Sequence, residues 1–209
     1  MPTVETPGRG RAGRILVIGN GASVRNARLG DEIDAFPSVG RINNYETVGF
    51  EPNAGHKTDI WFNGANQGLK KRSDVPSRVV VLVPPEVLAK KGESIRPRIR
   101  RRLGLEQGAY ELVALEEVRS FAEMCGVHRP TTGTMALLWA LERFQEVWFH
   151  GFDFFIDSKS HYNDSRIRRW WVETGIVRQA VKHDMHRERE FIDGLVRAGR
   201  LHRLHSYPG

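Results

Sequence analysis

A chain of 209 residues with 40% hydrophobic content and a formal charge of +7 is sized for one domain with a real core, and its basic balance points to an anionic partner. No stretch approaches the roughly 20 apolar residues that a membrane-spanning helix needs. The single cysteine, Cys125, excludes an internal disulfide and favours a reducing cytoplasm.

Residues 1–13 are polar and rich in Pro and Gly, with no apolar signal-peptide core, and read as a flexible leader before a single domain over 14–209. Ile15-Leu16-Val17-Ile18 is the pattern of a strand buried on both faces. It runs into Gly19-Asn20-Gly21-Ala22-Ser23, a turn at the carboxyl end of that strand, where open α/β sheets bind ligands. Glycines let a phosphate or sugar approach the backbone, and a helix starting there offers free N–H groups. The turn is not a dinucleotide fingerprint. Its third glycine position is Val24, and the next strand ends Arg41-Ile42-Asn43 without an acidic residue.

The pattern then predicts a helix over 24–36, a strand over 38–43, a loop over 45–55 and a strand over 59–63. A strand over 78–83 follows, closed by Pro84-Pro85. A helical region over 86–103, interrupted by Gly92 and Pro97, carries Arg96, Arg98, Arg100, Arg101 and Arg102. A charge run of this kind is ordinarily a solvated face. The sharper reading is a peripheral contact with anionic membrane, worth about 1 kcal/mol per basic residue near such a surface.

A strand over 110–115 and a helix to 124 come next. Pro130-Thr131-Thr132-Gly133 opens a helix over 134–144, and its hydroxyls and N–H groups suit a phosphate or carboxylate. A strand over 146–151, a polar loop at His161-Tyr162-Asn163-Asp164, a helix over 183–198 and a strand over 201–204 complete the chain. Six or seven short strands alternating with helices describe a doubly wound α/β fold: a mostly parallel sheet flanked by helices.

Several separated stretches resemble the sialyltransferases, both the animal type and the smaller bacterial type. Ile18-Gly19-Asn20, Asp31-Glu32-Ile33-Asp34, Arg41-Ile42-Asn43, Thr47-Val48-Gly49-Phe50-Glu51 and Gly55-His56-Lys57-Thr58 are similar to the large sialyl motif. Pro130-Thr131-Thr132-Gly133, Ala140-Leu141, Glu146-Val147 and Gly151-Phe152 are similar to the small motif. His161-Tyr162 resembles the short His-Tyr motif, and His183 with Glu188 matches the terminal His-x4-Glu pattern. Gly19-Asn20-Gly21, Asn63 and Gly151-Phe152-Asp153-Phe154 are also similar to the bacterial family. The animal disulfide positions correspond to Ile15 and Phe144, as a cytoplasmic relative should show.

The resemblance implies a Rossmann-like, GT-A-variant core and an inverting transfer of an acidic sugar from CMP-sialic acid or CMP-Kdo to a glycan or glycolipid hydroxyl. His183 is the implied general base, with His161 and Tyr162 toward the leaving phosphate. Gly19, Asn20, Gly21, Ser23, Asn43, Asn63, Thr131, Thr132, Gly133 and Gly151 are the implied donor-binding residues. Glu188 stands five positions after His183, about 140° round a helix, and is assigned a structural or orienting role.

Independently of any family, Asn20, Asn43 and Asn63 each end a predicted strand. Neutral amides there offer donors and acceptors without repelling a phosphate. No metal is implied, because CMP carries one phosphate and there is no Asp-x-Asp pair. His183-x-x-His186 lacks an evident third ligand. A basic nucleic-acid-binding module would interleave aromatics with Lys and Arg on an open sheet face, whereas these strands are aliphatic and read as buried, so no nucleic acid partner is expected. A nucleotide binder without catalysis is the remaining alternative, and the presence of both His161 and His183 argues against it.

Overall fold

A computed structural model describes residues 11–153 and 182–204, with the side chains of 182–184 outside the description. Its strands are β1 (Ala12–Ile18), β2 (Ser38–Ile42), β3 (Ile60–Asn63), β4 (Arg78–Val81), β5 (Glu111–Leu112), β6 (Phe144–His150) and β7 (His202–Arg203). They form one 7-stranded sheet in the order β5-β4-β3-β2-β1-β6-β7. Every pairing is parallel.

The chain moves outward from β1 to β5, then returns to the other side of β1 as β6. The strand order therefore reverses between β1 and β6, and a crevice opens beyond their carboxyl ends. The glycine turn after β1 lies at that reversal.

Strand β1 shows why its four aliphatic residues are needed. Side chains alternate across a strand, and each of these meets a packed layer. Ile15 and Val17 join the larger core, while Leu16 and Ile18 join a second cluster with Val24, Ile33 and Ala54. The larger core is covered by α3 (Pro85–Lys91), α4 (Ile95–Leu103), α5 (Leu115–Cys125), α6 (Thr132–Arg143) and α7 (Lys182–Arg197). The smaller one lies under α1 (Gly30–Asp34) and α2 (Glu51–Ala54). Helix α6 is central and buried along Thr134 to Leu141. Its Trp139 is fully buried, with Phe62 edge-on at 5.2 Å and the guanidinium groups of Arg78 and Arg143 over its ring at 4.6 and 4.5 Å.

Several expectations are corrected. The first strand starts at Ala12, inside the expected leader. The expected helix over 24–36 is a single 3-10 turn (Ala22–Asn26), an extended Ala27 and the short α1. The Asn53 amide accounts for the break, since it donates to the carbonyls of Arg25 (3.0 Å) and Ala27 (2.7 Å) that a continuous helix would use. The expected loop over 45–55 contains α2, with a proline in its first turn.

The region over 86–103 divides at Gly92, whose φ is +48°, and Pro97 is accommodated in the first turn of α4, where a missing N–H loses no helical bond. Phe144, expected as a helix end, opens β6 in extended geometry. Across β1 and β6, Ile15 pairs with Val147 and Phe144 with Ala12, so the two positions that resemble the disulfide sites are not opposite one another.

Candidate active site at the carboxyl rim of the sheet

The glycine turn and the segment after β6 are bound to each other. Gly19 N donates to His150 O and Gly21 N to Gly151 O, both at 2.8 Å. A Cβ at Gly19 would stand 2.2 Å from Gly151 O, and one at Gly21 would stand 2.4 Å from the Asp153 carboxyl carbon. These glycines are required by the approach of the chain itself. Asp153 fills the notch, accepting from Ser23 N at 3.0 Å and from the Ser23 hydroxyl. The expected anion-binding groups of Ser23 thus hold a carboxylate of the protein.

The asparagines lie along the same rim, on the adjacent strands β1, β2 and β3. Asn20 Nδ2 reaches across to donate to Ile42 O at 2.7 Å. Asn43 has φ 50°, a left-handed conformation that Asn adopts more readily than most residues, and its Oδ1 accepts from Gly64 N at 3.2 Å. Trp61 Nε1 donates to the Asn43 carbonyl at 2.7 Å. Asn63 is fully buried, and its Oδ1 accepts from Ala65 N at 3.2 Å. Its Nδ2 is buried without a hydrogen-bond partner among the described residues, an arrangement that leaves a donor for a ligand or a water.

Helix α6 brings its N-terminus over this rim. Thr132 Oγ1 would lie 2.9 Å from a Cβ on Gly64, and the Phe152 ring would lie 2.9 Å from one on Gly133. Thr131 caps the helix by accepting from Thr134 N at 3.2 Å. Glu188 of α7, 1% exposed, accepts the Thr131 N–H on both oxygens at 3.1 Å, the Thr131 hydroxyl at 2.7 Å and the Thr134 hydroxyl. A carboxylate at a helix N-terminus meets both the free N–H groups and the positive end of the helix dipole. Beside it lies a cleft of about 370 Å³, lined by residues including Gly64, Asn66, Arg98, Arg129, Thr132 and Met185.

The structure therefore gathers Gly19, Asn20, Gly21, Ser23, Asn43, Asn63, Thr131, Thr132, Gly133 and Gly151 on the carboxyl side of the sheet. His161 and Tyr162 lie outside the described residues. His183 lies on α7, and its side chain is outside the description. Among the described residues no group of His, Cys, Asp and Glu is arranged to hold a metal ion.

The arginines of α4 do not form one free face for a membrane. Arg96 pairs with Glu93 at 2.5 Å and Arg100 with Glu106 at 2.8 Å. Arg98 Nε and Arg102 Nη1 donate to Ala65 O (3.3 Å) and Gln67 O (3.0 Å), tying α4 to the loop after β3. Helical positions 100° apart point these side chains in different directions.

Four residues have roles that sequence reasoning did not assign. Asp153 stood out in the sequence only as part of Gly151-Phe152-Asp153-Phe154, the stretch similar to the bacterial family, with no role of its own. Arg98 and Arg129 line the cleft; a charge run gives no sign that Arg98 is the member facing inward, and Arg129 lies alone before Pro130. Arg41 is fully buried, its Nε donating to Lys57 O (3.0 Å) and Thr58 Oγ1 (2.9 Å) and its Nη2 to Ala54 O (2.6 Å). It fastens the segment after α2 to the sheet.

The model of glycosyltransferase family 29 (sialyltransferase) matches residues 2–83 and 109–200. A rat CMP-N-acetylneuraminate-beta-1,4-galactoside alpha-2,3-sialyltransferase is 24% identical over 215 residues, which span 88% of this chain and 55% of the rat protein. A human CMP-N-acetylneuraminate-beta-galactosamide-alpha-2,3-sialyltransferase 4 is 24% identical over 227 residues, spanning 94% and 66% of the two chains. The chain thus spans about half to two thirds of the length of these relatives.

The crystal structure of a mammalian sialyltransferase superposes with a TM-score of 0.66 at 19% identity, covering 94% of this chain and 70% of that one. The same likeness holds for a mammalian sialyltransferase in complex with Gal-beta-1-3GalNAc-ortho-nitrophenol. The likeness shows the same α/β fold. With the family model matched over most of its length, the chain belongs to glycosyltransferase family 29, the sialyltransferases.

Proposed function

We propose that this chain transfers sialic acid from CMP-sialic acid to a hydroxyl of a galactoside-bearing glycan, with inversion, without a metal and with His183 as general base. The observation that carries the reading is the shared rim. Asn20, Asn43, Asn63 and the N-terminus of α6 stand together at the carboxyl ends of the strands, in a chain of this family. Relatives named for CMP-N-acetylneuraminate and for a beta-1,4-galactoside or a beta-galactosamide support the donor and acceptor classes.

In this reaction the acceptor oxygen attacks the anomeric carbon as the bond to CMP breaks. The hydroxyl proton goes to His183, and the electron pair of the broken bond leaves with the CMP phosphate. A positioned base of this kind contributes about 10²–10⁴-fold. The resemblance of His161-Tyr162 to the His-Tyr motif assigns these two residues to the leaving phosphate. One phosphate needs less neutralisation than a diphosphate, so protein donors suffice in place of a divalent cation. Glu188, bound to Thr131 and Thr134, fixes α7, the helix that carries His183, against the start of α6. The lone, buried Cys125 supports a cytoplasmic setting.

The test is release of CMP from CMP-Neu5Ac and from CMP-Kdo by the purified protein, with and without a lactoside acceptor. Release from CMP-Neu5Ac, stimulated by the lactoside, is expected. Release from CMP-Kdo alone would move the donor to that sugar. No release from either, with no CMP binding by calorimetry, would overturn the reading.

A further inference from the structure

A second cleft, of about 400 Å³, lies against α4 and is lined by Gln67, Lys91, Ser94, Arg98, Arg101 and Arg102, besides Pro97. Among the described residues no acidic one lines it, and Arg98 also lines the cleft at the rim, so this one side chain borders both. Arg98, Arg101 and Arg102 stand at i, i+3 and i+4, on one side of α4, where like charges repel and weaken a helix. The other arginines of the helix, Arg96 and Arg100, have carboxylate partners.

The remaining three are differently placed. Arg98 and Arg102 each give one nitrogen to a loop carbonyl, at Ala65 and Gln67. Arg102 Nε is buried with no hydrogen-bond partner among the described residues, and Arg101 is exposed. Guanidinium groups in such a setting bind carboxylate or phosphate through paired N–H donors. Each cleft has the volume of a small-ligand site.

We propose that the two clefts form one groove for an acidic oligosaccharide, whose reacting end lies at the rim and whose flanking anionic sugars run past Arg98 to Arg101, Arg102 and Lys91. The proposal rests on the transferase reading only in calling this ligand the acceptor. The binding itself is independent of donor chemistry.

The test is calorimetric titration with a galacturonate hexamer and with a neutral galactose hexamer, at low and at high salt. The acidic hexamer is expected to bind at least about tenfold more tightly at low salt, and to lose most of that advantage at high salt. Arg98→Ala should remove most of the preference. Arg101→Ala should reduce it about threefold to tenfold while keeping the wild-type melting temperature, because its guanidinium is not tied into the fold.

Equal binding of the two hexamers, wild-type preference in both variants, or a preference for phosphatidylglycerol vesicles over the acidic hexamer would overturn the proposal. A protein that binds the acidic hexamer but neither binds CMP nor releases it from donor keeps the groove and loses the transferase reading. One that releases CMP but ignores the acidic hexamer does the reverse.

Discussion

Glu188 accepts the backbone N–H of Thr131 on both carboxylate oxygens at 3.1 Å, across 57 positions of sequence. A helix start needs acceptors for its free N–H groups, and here one of them comes from another helix. One buried carboxylate therefore completes the start of α6 and docks α7 on it.

Replacing Glu188 tests that double task. Glu188→Ala leaves the Thr131 N–H and two hydroxyls without this acceptor, at a cost of about 2–4 kcal/mol in urea unfolding. Glu188→Gln keeps the shape and part of the acceptance and should lose less. Because α7 also carries His183, both variants should lower kcat for transfer by more than they raise KM for the donor. A kcat unchanged in Glu188→Ala would show that the contact has no part in placing His183.

His183→Ala should lower transfer from CMP-Neu5Ac by about 10²–10⁴-fold. The affinity for CMP, measured by calorimetry, should stay near wild type, because the base acts on the acceptor proton. Transfer at the wild-type rate would assign the base elsewhere.

The notch between the glycine turn and Asp153 makes a paired prediction. Gly21→Ala places a Cβ 2.4 Å from the Asp153 carboxyl, and the overlap should destabilise the fold by about 1–3 kcal/mol. Asp153→Ala combined with Gly21→Ala should recover part of that loss, giving a coupling energy of about 0.5–3 kcal/mol in a double-mutant cycle. Strictly additive losses would mean that the two groups do not meet.

Burial raises the Cys125 thiol above its ordinary range, chiefly through desolvation of the thiolate. The reactive form is the thiolate, so the native protein at pH 8 should be alkylated by iodoacetamide at least about tenfold more slowly than N-acetylcysteine. The rate should climb as the pH is taken higher, and unfolding in guanidinium should remove the difference. Fast labelling of the native protein at pH 8 would contradict the buried placement of Cys125.

The parallel sheet was legible because strand residues buried on both faces must be continuously apolar, and Ile15-Leu16-Val17-Ile18 and Val79-Val80-Val81 have no other reading at that length. The glycine turn after β1 was legible for a related reason: a strand followed at once by Gly-Asn-Gly must stop and turn. Asn20, Asn43 and Asn63 could be placed on one rim, because a polar residue ending a buried strand has only the sheet's end to occupy. The broken helix over 24–36 was not legible. What breaks it is Asn53, a distant amide that takes two of its carbonyls.

Local pattern thus determined which segments are strands and which chemical groups stand at their ends, since burial and chain direction act residue by residue. Tertiary structure alone decided what those groups touch. That Gly21 makes room for Asp153, that Glu188 closes the start of α6, and that Arg98 faces two clefts while Arg96 and Arg100 find carboxylates all depend on segments far apart in the chain. Hydrogen bonds and ion pairs are directional and short-ranged, so their partners exist only once the layers have packed.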